Sequence, residues 1–432
     1  MRCSFPWNRV ALGSPQAAVD HLKEKFVHIN AERLFSSLTE FARIGATSRG
    51  GVSRLAVSDE DRAARDLLRL CMEEAGMAVR VDDFGTMTGC RSGAEPGPAV
   101  LLGSHLDSVL RGGKYDGTYG VIAALEVVRT LNDFGIITRL PIEVVNWSDE
   151  EGARFELANT ASGAVAGCFS RDFVYDRVDR DGRRFEDELL RIGYLGEESS
   201  RPGPAVAYLE LHVEQGPVLE DAGLAVGVVE GIVGMTWTKV TVTGRANHVG
   251  TTPMALRKDA QAAAASIISG VEQLGRQTPG AVATVGKIFV EPNNSGVIPG
   301  QVVCTVDFCH RDLATLDALV TALHGLAATT MEERGVNVQS EQIWWSDPTP
   351  FAAEIIDLVD ESCTSIGAST MRLWSGAGHD AMYMQKVCPT GMIFVRSAGG
   401  LSHSEEEYST PEDLEAGANV LLHATIRLAE QA

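Results

Sequence analysis

The chain has no C-x-x-C pair, few positive charges, no apolar run of membrane-spanning length and no internal repeat. Each shortage removes a class of function. Eight cysteines (Cys3, Cys71, Cys90, Cys168, Cys304, Cys309, Cys363, Cys388) are scattered through 432 residues, a length that needs no disulfide staples, so they read as reduced thiols of a cytoplasmic protein. Lys and Arg total 37 against 58 Asp and Glu, a formal charge of −21 that repels phosphate backbones and anionic membrane surfaces. Neither nucleic acid nor a membrane is an expected partner. The opening MRCSFPWNRVALGSP lacks the apolar core and small-residue cleavage site of a secretory signal, and up to about Pro15 it looks loosely organised.

What is present is the composition of a large globular protein, 44% hydrophobic and 22% charged, enough for two or three domains. Helical spacing runs through AERLFSSLTEFARIG and SDEDRAARDLLRLCMEEAG, where Ser58 or Asp59 suits an N-cap and Gly76 a stop. Short β-like runs follow (MAVRVDDFG, PAVLLGSHLDS, PIEVVNWSDEE, VAYLELHVEQG and, much later, TGMIFVRSAGG), with amphipathic stretches between some of them. That alternation predicts an α/β layer architecture. Between about Gly231 and Trp344 the order becomes strand, helix, strand, strand, helix, strand, which predicts a ferredoxin-like α+β unit inserted into the first domain. The expected boundaries are a catalytic domain over 20–228 and 346–432, with the insertion at 229–345.

The residues suited to chemistry stand where the apolar runs end. In GSHLDSVLRGGKYDGTYGV a strand delivers His105, with Asp107 two residues on and Asp116 after a glycine-rich loop. Imidazole and carboxylate suit zinc, manganese, cobalt or nickel, and a carboxylate has two oxygens with which to bridge two ions, the role expected of Asp116. Asp107 is expected to accept the free ring N–H of His105 and so fix its tautomer. WSDEEGARF sets two adjacent carboxylates at another strand end, where only nearby positive charge makes them compatible; Glu151 reads as a ligand and Glu150 as the general base toward water. LELHVEQG brings His212, with Gln215 close by, and GGLSHSEEE brings His403. The glycine-rich SGAGHDA, with Gly378 and His379, suits backbone donation to a substrate oxygen. His248, on the loop NHVGTTPM of the insertion, is either a donor to a developing oxyanion or a loop residue that only caps a helix.

Taken together, GSHLDSVLRGGKYDGTYGV, NWSDEEGARF, LELHVEQGPVLE, NHVGTTPM, VIPGQV, SGAGHDAMYM and GGLSHS resemble the hydantoinase/carbamoylase branch of the dinuclear metallo-aminoacylase and peptidase superfamily. The resemblance covers nearly the whole chain after about residue 30. It implies a mixed-sheet dinuclear metallohydrolase catalytic domain and an inserted domain that dimerises and acts as a lid. It also implies two divalent metal ions, one on His105, Asp116 and His212, the other on Asp116, Glu151 and His403. Glu150 would be the base, His248 the oxyanion donor from the neighbouring subunit, and Gln215 a neighbour of the substrate. Two positions depart from the family pattern: Gly296 stands where an asparagine is expected and Cys309 where an arginine is expected, both of which hold the carboxylate of an amino-acid substrate. A neutral thiol cannot replace a bidentate guanidinium. The expected activity is therefore cleavage of a linear amide or ureido C–N bond in a small molecule lacking that carboxylate. The alternatives are an N-carbamoyl-L-amino-acid hydrolase with a rearranged carboxylate site, a metallo-exopeptidase or aminoacylase, and a protein that keeps the fold only for binding. An intact Glu150 speaks against the last.

Overall fold

A computed structural model describes residues 27–430, so the opening segment to about Pro15 and the expected domain start at residue 20 lie outside the described residues. The described residues form two compact units, one of residues 27–230 and 351–430, the other Gly231–Pro350.

The first unit is built on a mixed sheet. Seven of its strands run Ala78–Val81, Met87–Arg91, Ile142–Trp147, Ala99–His105, Ala205–Val213, Thr390–Val395 and Val226–Ile232 in spatial order, and Thr370–Ser375 also pairs with the last. Ala99–His105 is parallel to Ile142–Trp147 and Ala205–Val213, and Thr390–Val395 is parallel to Ala205–Val213; the outer pairings are antiparallel. Every residue of Ala99–His105, Ile142–Trp147 and Thr390–Val395 is buried, as strands covered on both faces must be. The helices include Thr118–Asp133 and Pro411–Glu430, both almost wholly buried along their apolar sides. Helix Asp59–Glu74 begins as its sequence predicts: the Ser58 hydroxyl accepts the Asp61 N–H at 3.2 Å. Gly76, with φ 76°, follows its end. Because the central strands are parallel, their carboxyl ends meet at one edge of the sheet, the usual place for a site in such folds.

The second unit has the βαββαβ order read from the sequence: strand Gly234–Thr243, helix Ala260–Gln277, strands Val282–Glu291 and Gln301–His310, helix Leu313–Arg334 and strand Asn337–Ser346. The strands are antiparallel in the order Asn337–Ser346, Gly234–Thr243, Gln301–His310, Val282–Glu291. Strict alternation in Gln301–His310 sends Val302, Cys304, Val306 and Phe308 into a core with Ile267, Val271, Leu316, Leu319 and Leu323. Among the described residues one helix, Leu313–Arg334, is long and apolar enough to cross a membrane by length and composition. The sequence reading expected a helix here but no run of membrane-spanning length. Its buried positions, Leu316, Leu319, Leu323, Ala327 and Thr330, recur at three and four residues and pack on the sheet, as in an amphipathic core helix. Among the described residues all seven cysteines are free.

Candidate metal centre

Four strand ends and one helix start converge. His105 is the last residue of Ala99–His105, Glu150 and Glu151 follow Ile142–Trp147, His212 is the penultimate residue of Ala205–Val213, and His403 lies on the loop after Thr390–Val395. Asp116 arrives on the turn before helix Thr118–Asp133. Only glycine fits next to it. Gly117 has φ 59°, and a Cβ there would stand 2.4 Å from the His105 ring. Several other residues around the site, Asp149, Asn159, Gln215 and His403, also adopt positive φ without being glycine. Backbone held in this sparsely populated region gathers where side-chain placement is over-determined.

The side chains form two overlapping sets of donors. Ligand atoms of His105, Asp116 and His212 lie within 4.8 Å of one another, and so do those of Asp116, Glu151 and His403. Asp116 belongs to both. Its Oδ1 is 3.1 Å from His212 Nε2 and 3.6 Å from His105 Nε2, while its Oδ2 is 3.5 Å from His403 Nε2. Glu151 Oε2 is 3.3 Å from His403 Nε2. For two of the histidines Nε2 points inward while Nδ1 is engaged elsewhere: His212 Nδ1 at 2.8 Å from the Val213 carbonyl, His105 Nδ1 at 2.9 Å from the Asp107 carbonyl. Here the structure corrects the expectation for Asp107. Its carboxylate stands 3.8 Å from His105 Nδ1 and instead accepts the N–H groups of Glu150 and Glu151, at 3.3 and 3.2 Å. The strand ends at His105, so residue parity no longer aims Asp107 at the ring. Asp107 holds the turn that carries both glutamates.

Burial dominates the electrostatics. It pushes Glu150 and Glu151 well above the usual carboxylate range, Asp380 adding its charge at the first and Asp116 at the second. Asp107 and Glu407 are each pushed up to about 7, first by burial. Burial also lowers His105 to about 4. Asp116 and His212 are the exception: against the cost of burial, their mutual hydrogen bond holds the acid below its usual range and lifts the imidazole to about 9. So many desolvated carboxylates in one cleft, with imidazoles interleaved, are mutually compatible when cations sit among them, and the nitrogen and oxygen donors suit divalent ions.

The remaining expected residues fall in three places. Gln215 donates from Nε2 to Asp116 Oδ2 at 2.9 Å, so its amide is engaged with the shared carboxylate. His379 is buried, its Nε2 at 3.1 Å from the Ser375 hydroxyl and its ring centroid 4.5 Å from that of His212, with Gly378 half-buried beside it. His248 belongs to the second unit, where its Nδ1 accepts the N–H groups of Gly250 and Thr251 at 3.0 and 3.2 Å, leaving Nε2 to carry the proton. Sequence reasoning missed two residues that hold Asp116. The buried Glu407 accepts the N–H groups of Tyr115 and Asp116, both at 3.1 Å. Ser402 lies 3.2 Å from Asp116 Oδ2 and 2.8 Å from Glu407 Oε2.

Residues 101–427 match peptidase family M20/M25/M40. The chain belongs to that family. It is 44% identical to the N-carbamoyl-L-amino-acid amidohydrolase of Rhizobium meliloti, over 93% of this chain and 97% of the relative. It is 33% identical to the allantoate amidohydrolase of Bacillus subtilis (strain 168), over 91% and 98%. A solved structure of a hydantoinase/carbamoylase family amidase from Burkholderia multivorans superposes with a TM-score of 0.91 at 44% identity, covering 94% of this chain and 99% of that one. Within the M20 family the chain thus stands in the hydantoinase/carbamoylase branch, as its motifs led one to expect, and the His, Asp and Glu groups described above are its candidate metal ligands.

Proposed function

We propose that the protein is an amidohydrolase that uses two divalent cations, zinc by preference with manganese, cobalt or nickel as substitutes, to cleave a linear amide or ureido C–N bond. The observation that carries this reading is Asp116, whose two oxygens serve two ligand groups at once. Ions held there supply Lewis acidity, polarising a carbonyl and making water a stronger acid. Glu150 takes the proton of the attacking water and returns it to the departing nitrogen as the C–N bond breaks. His248 offers its Nε2–H to the developing oxyanion from the neighbouring subunit. His403, with a side chain 54% exposed, marks the solvent side from which substrate enters.

The substrate we infer lacks the amino-acid carboxylate. On the open face of the second unit's sheet, Cys309 pairs with Met235 and Val282, and Asp307 with Trp237 and Thr284, so neither row carries a cation. The Cys309 thiol lies 3.6 Å from Asp307 Oδ1, and burial together with that acid pushes it up to about 12, so it stays neutral. Arg311 follows the strand, which ends at His310, so strand alternation does not place it on the face of Cys309. A panel of neutral amides and ureas should therefore be turned over faster than N-carbamoyl amino acids. Cys309→Arg should raise kcat/KM for N-carbamoyl amino acids by about 10–100-fold, the worth of a charge-assisted pair. Preference of the unsubstituted enzyme for carboxylate-bearing substrates would instead favour the second reading, an N-carbamoyl-L-amino-acid hydrolase with a rearranged carboxylate site, to which the overall identity with the Rhizobium meliloti enzyme points.

We further propose a cytoplasmic homodimer formed through the second unit, here taken as a ferredoxin-like dimerisation and lid domain inserted at about 229–345. Its edge strand Val282–Glu291 carries exposed Val282, Ile288 and Phe289, apolar side chains on an unpaired edge that a partner would cover.

A further inference from the structure

We infer that Asn159 is a positioning residue that fixes which oxygen of Glu150 receives the proton. This rests on the reading of Glu150 as the base. After Glu151 the chain makes a short excursion and returns so that the Asn159 N–H donates to the Glu150 carbonyl at 2.7 Å. The Asn159 side chain then donates from Nδ2 to Glu150 Oε1, also at 2.7 Å, in a setting where Asn159 is 3% exposed. Two features single this contact out. Asn159 precedes helix Thr160–Val165, where an asparagine side chain ordinarily caps the helix, yet it makes no capping hydrogen bond. Its backbone sits at φ 53°, ψ 40°, a conformation asparagine tolerates better than most residues and one that aims its amide at the glutamate.

The consequence is geometric. The terminal torsion of a glutamate is broad and roughly two-fold, so an untethered carboxylate presents either oxygen. A charge-assisted bond to Oε1 removes that freedom. It leaves Oε2, which stands 3.5 Å from His105 Nε2, facing the side chains that would hold the cations. Oε2 is then the atom that takes the proton from water and delivers it to the leaving nitrogen, with no change in the carboxylate's orientation between the two transfers.

The test uses the full-length, metal-loaded protein and three variants. Asn159→Gly keeps the left-handed backbone accessible while deleting the amide, so its effect reports on the side chain and not on backbone strain. It should lower kcat by about 10–100-fold, the usual cost of losing an outer-shell partner, with KM and metal content unchanged. Asn159→Asp, of the same shape but with no hydrogen to donate, should lose at least as much. A kcat for Asn159→Gly within two-fold of the parent, or a loss of metal in proportion to activity, would overturn the inference. Glu150→Gln separates the two levels: if it is inactive while Asn159→Gly is normal, only the positioning role fails; if it retains turnover, the assignment of the base fails with it.

Discussion

Glu150→Gln should abolish turnover and leave the metal complement unchanged. Glutamine keeps the volume of the side chain and its amide oxygen can still meet Asn159, so the packing around Asn159 and His105 is preserved. What it cannot do is bind a proton at any working pH. A positioned general base contributes about 10²–10⁴-fold to such reactions, and the proposed role has the same group serve two transfers, so a fall in kcat of about 10³-fold or more is expected. Elemental analysis beside steady-state kinetics checks both halves. Residual activity within ten-fold of the parent would remove Glu150 from the mechanism, and loss of metal in the variant would mean that it ligates.

Asp116→Asn should empty both cation positions at once. No other side chain is shared between the two ligand groups. The position of Asp116 is held by Gln215, Ser402 and Glu407. An amide has one oxygen and no charge, so neither set retains the bridging donor. The expected result is a drop from two equivalents of metal per chain to less than one, together with loss of activity beyond detection. His403→Ala, which belongs to one group only, should retain about one equivalent by the same ligand count. If Asp116→Asn kept two equivalents, the bridging role would be wrong, and with it the reading of the site as dinuclear.

The ligand set was legible because its residue types break an otherwise apolar pattern. His105, His212 and the Glu150–Glu151 pair interrupt or end runs that read as buried strands, and a buried charge without a purpose is costly. The supporting residues carry no such mark. Glu407 lies in a run of three glutamates, of which Glu405 and Glu406 meet Arg49 near the surface while Glu407 turns inward to the Asp116 backbone. In sequence the three look alike. Asn159 drew no reading from the sequence, and only its φ and its bond to Glu150 single it out. Asp107 was assigned to the His105 ring by strand parity, which no longer holds beyond His105, where the strand ends; its backbone carbonyl, not its carboxylate, meets the ring.

By itself, then, the sequence determined the elements and the donors: apolar periodicity sets which segments become strands and helices, and side-chain chemistry sets which residues suit cations. The tertiary structure alone decided how those donors are divided and oriented. Whether Asp116 spans two groups, which nitrogen of each histidine points inward and which oxygen of Glu150 is left unbound depend on hydrogen bonds between segments far apart in the chain. Such bonds form only once parallel strands bring their ends together, and no local pattern records them.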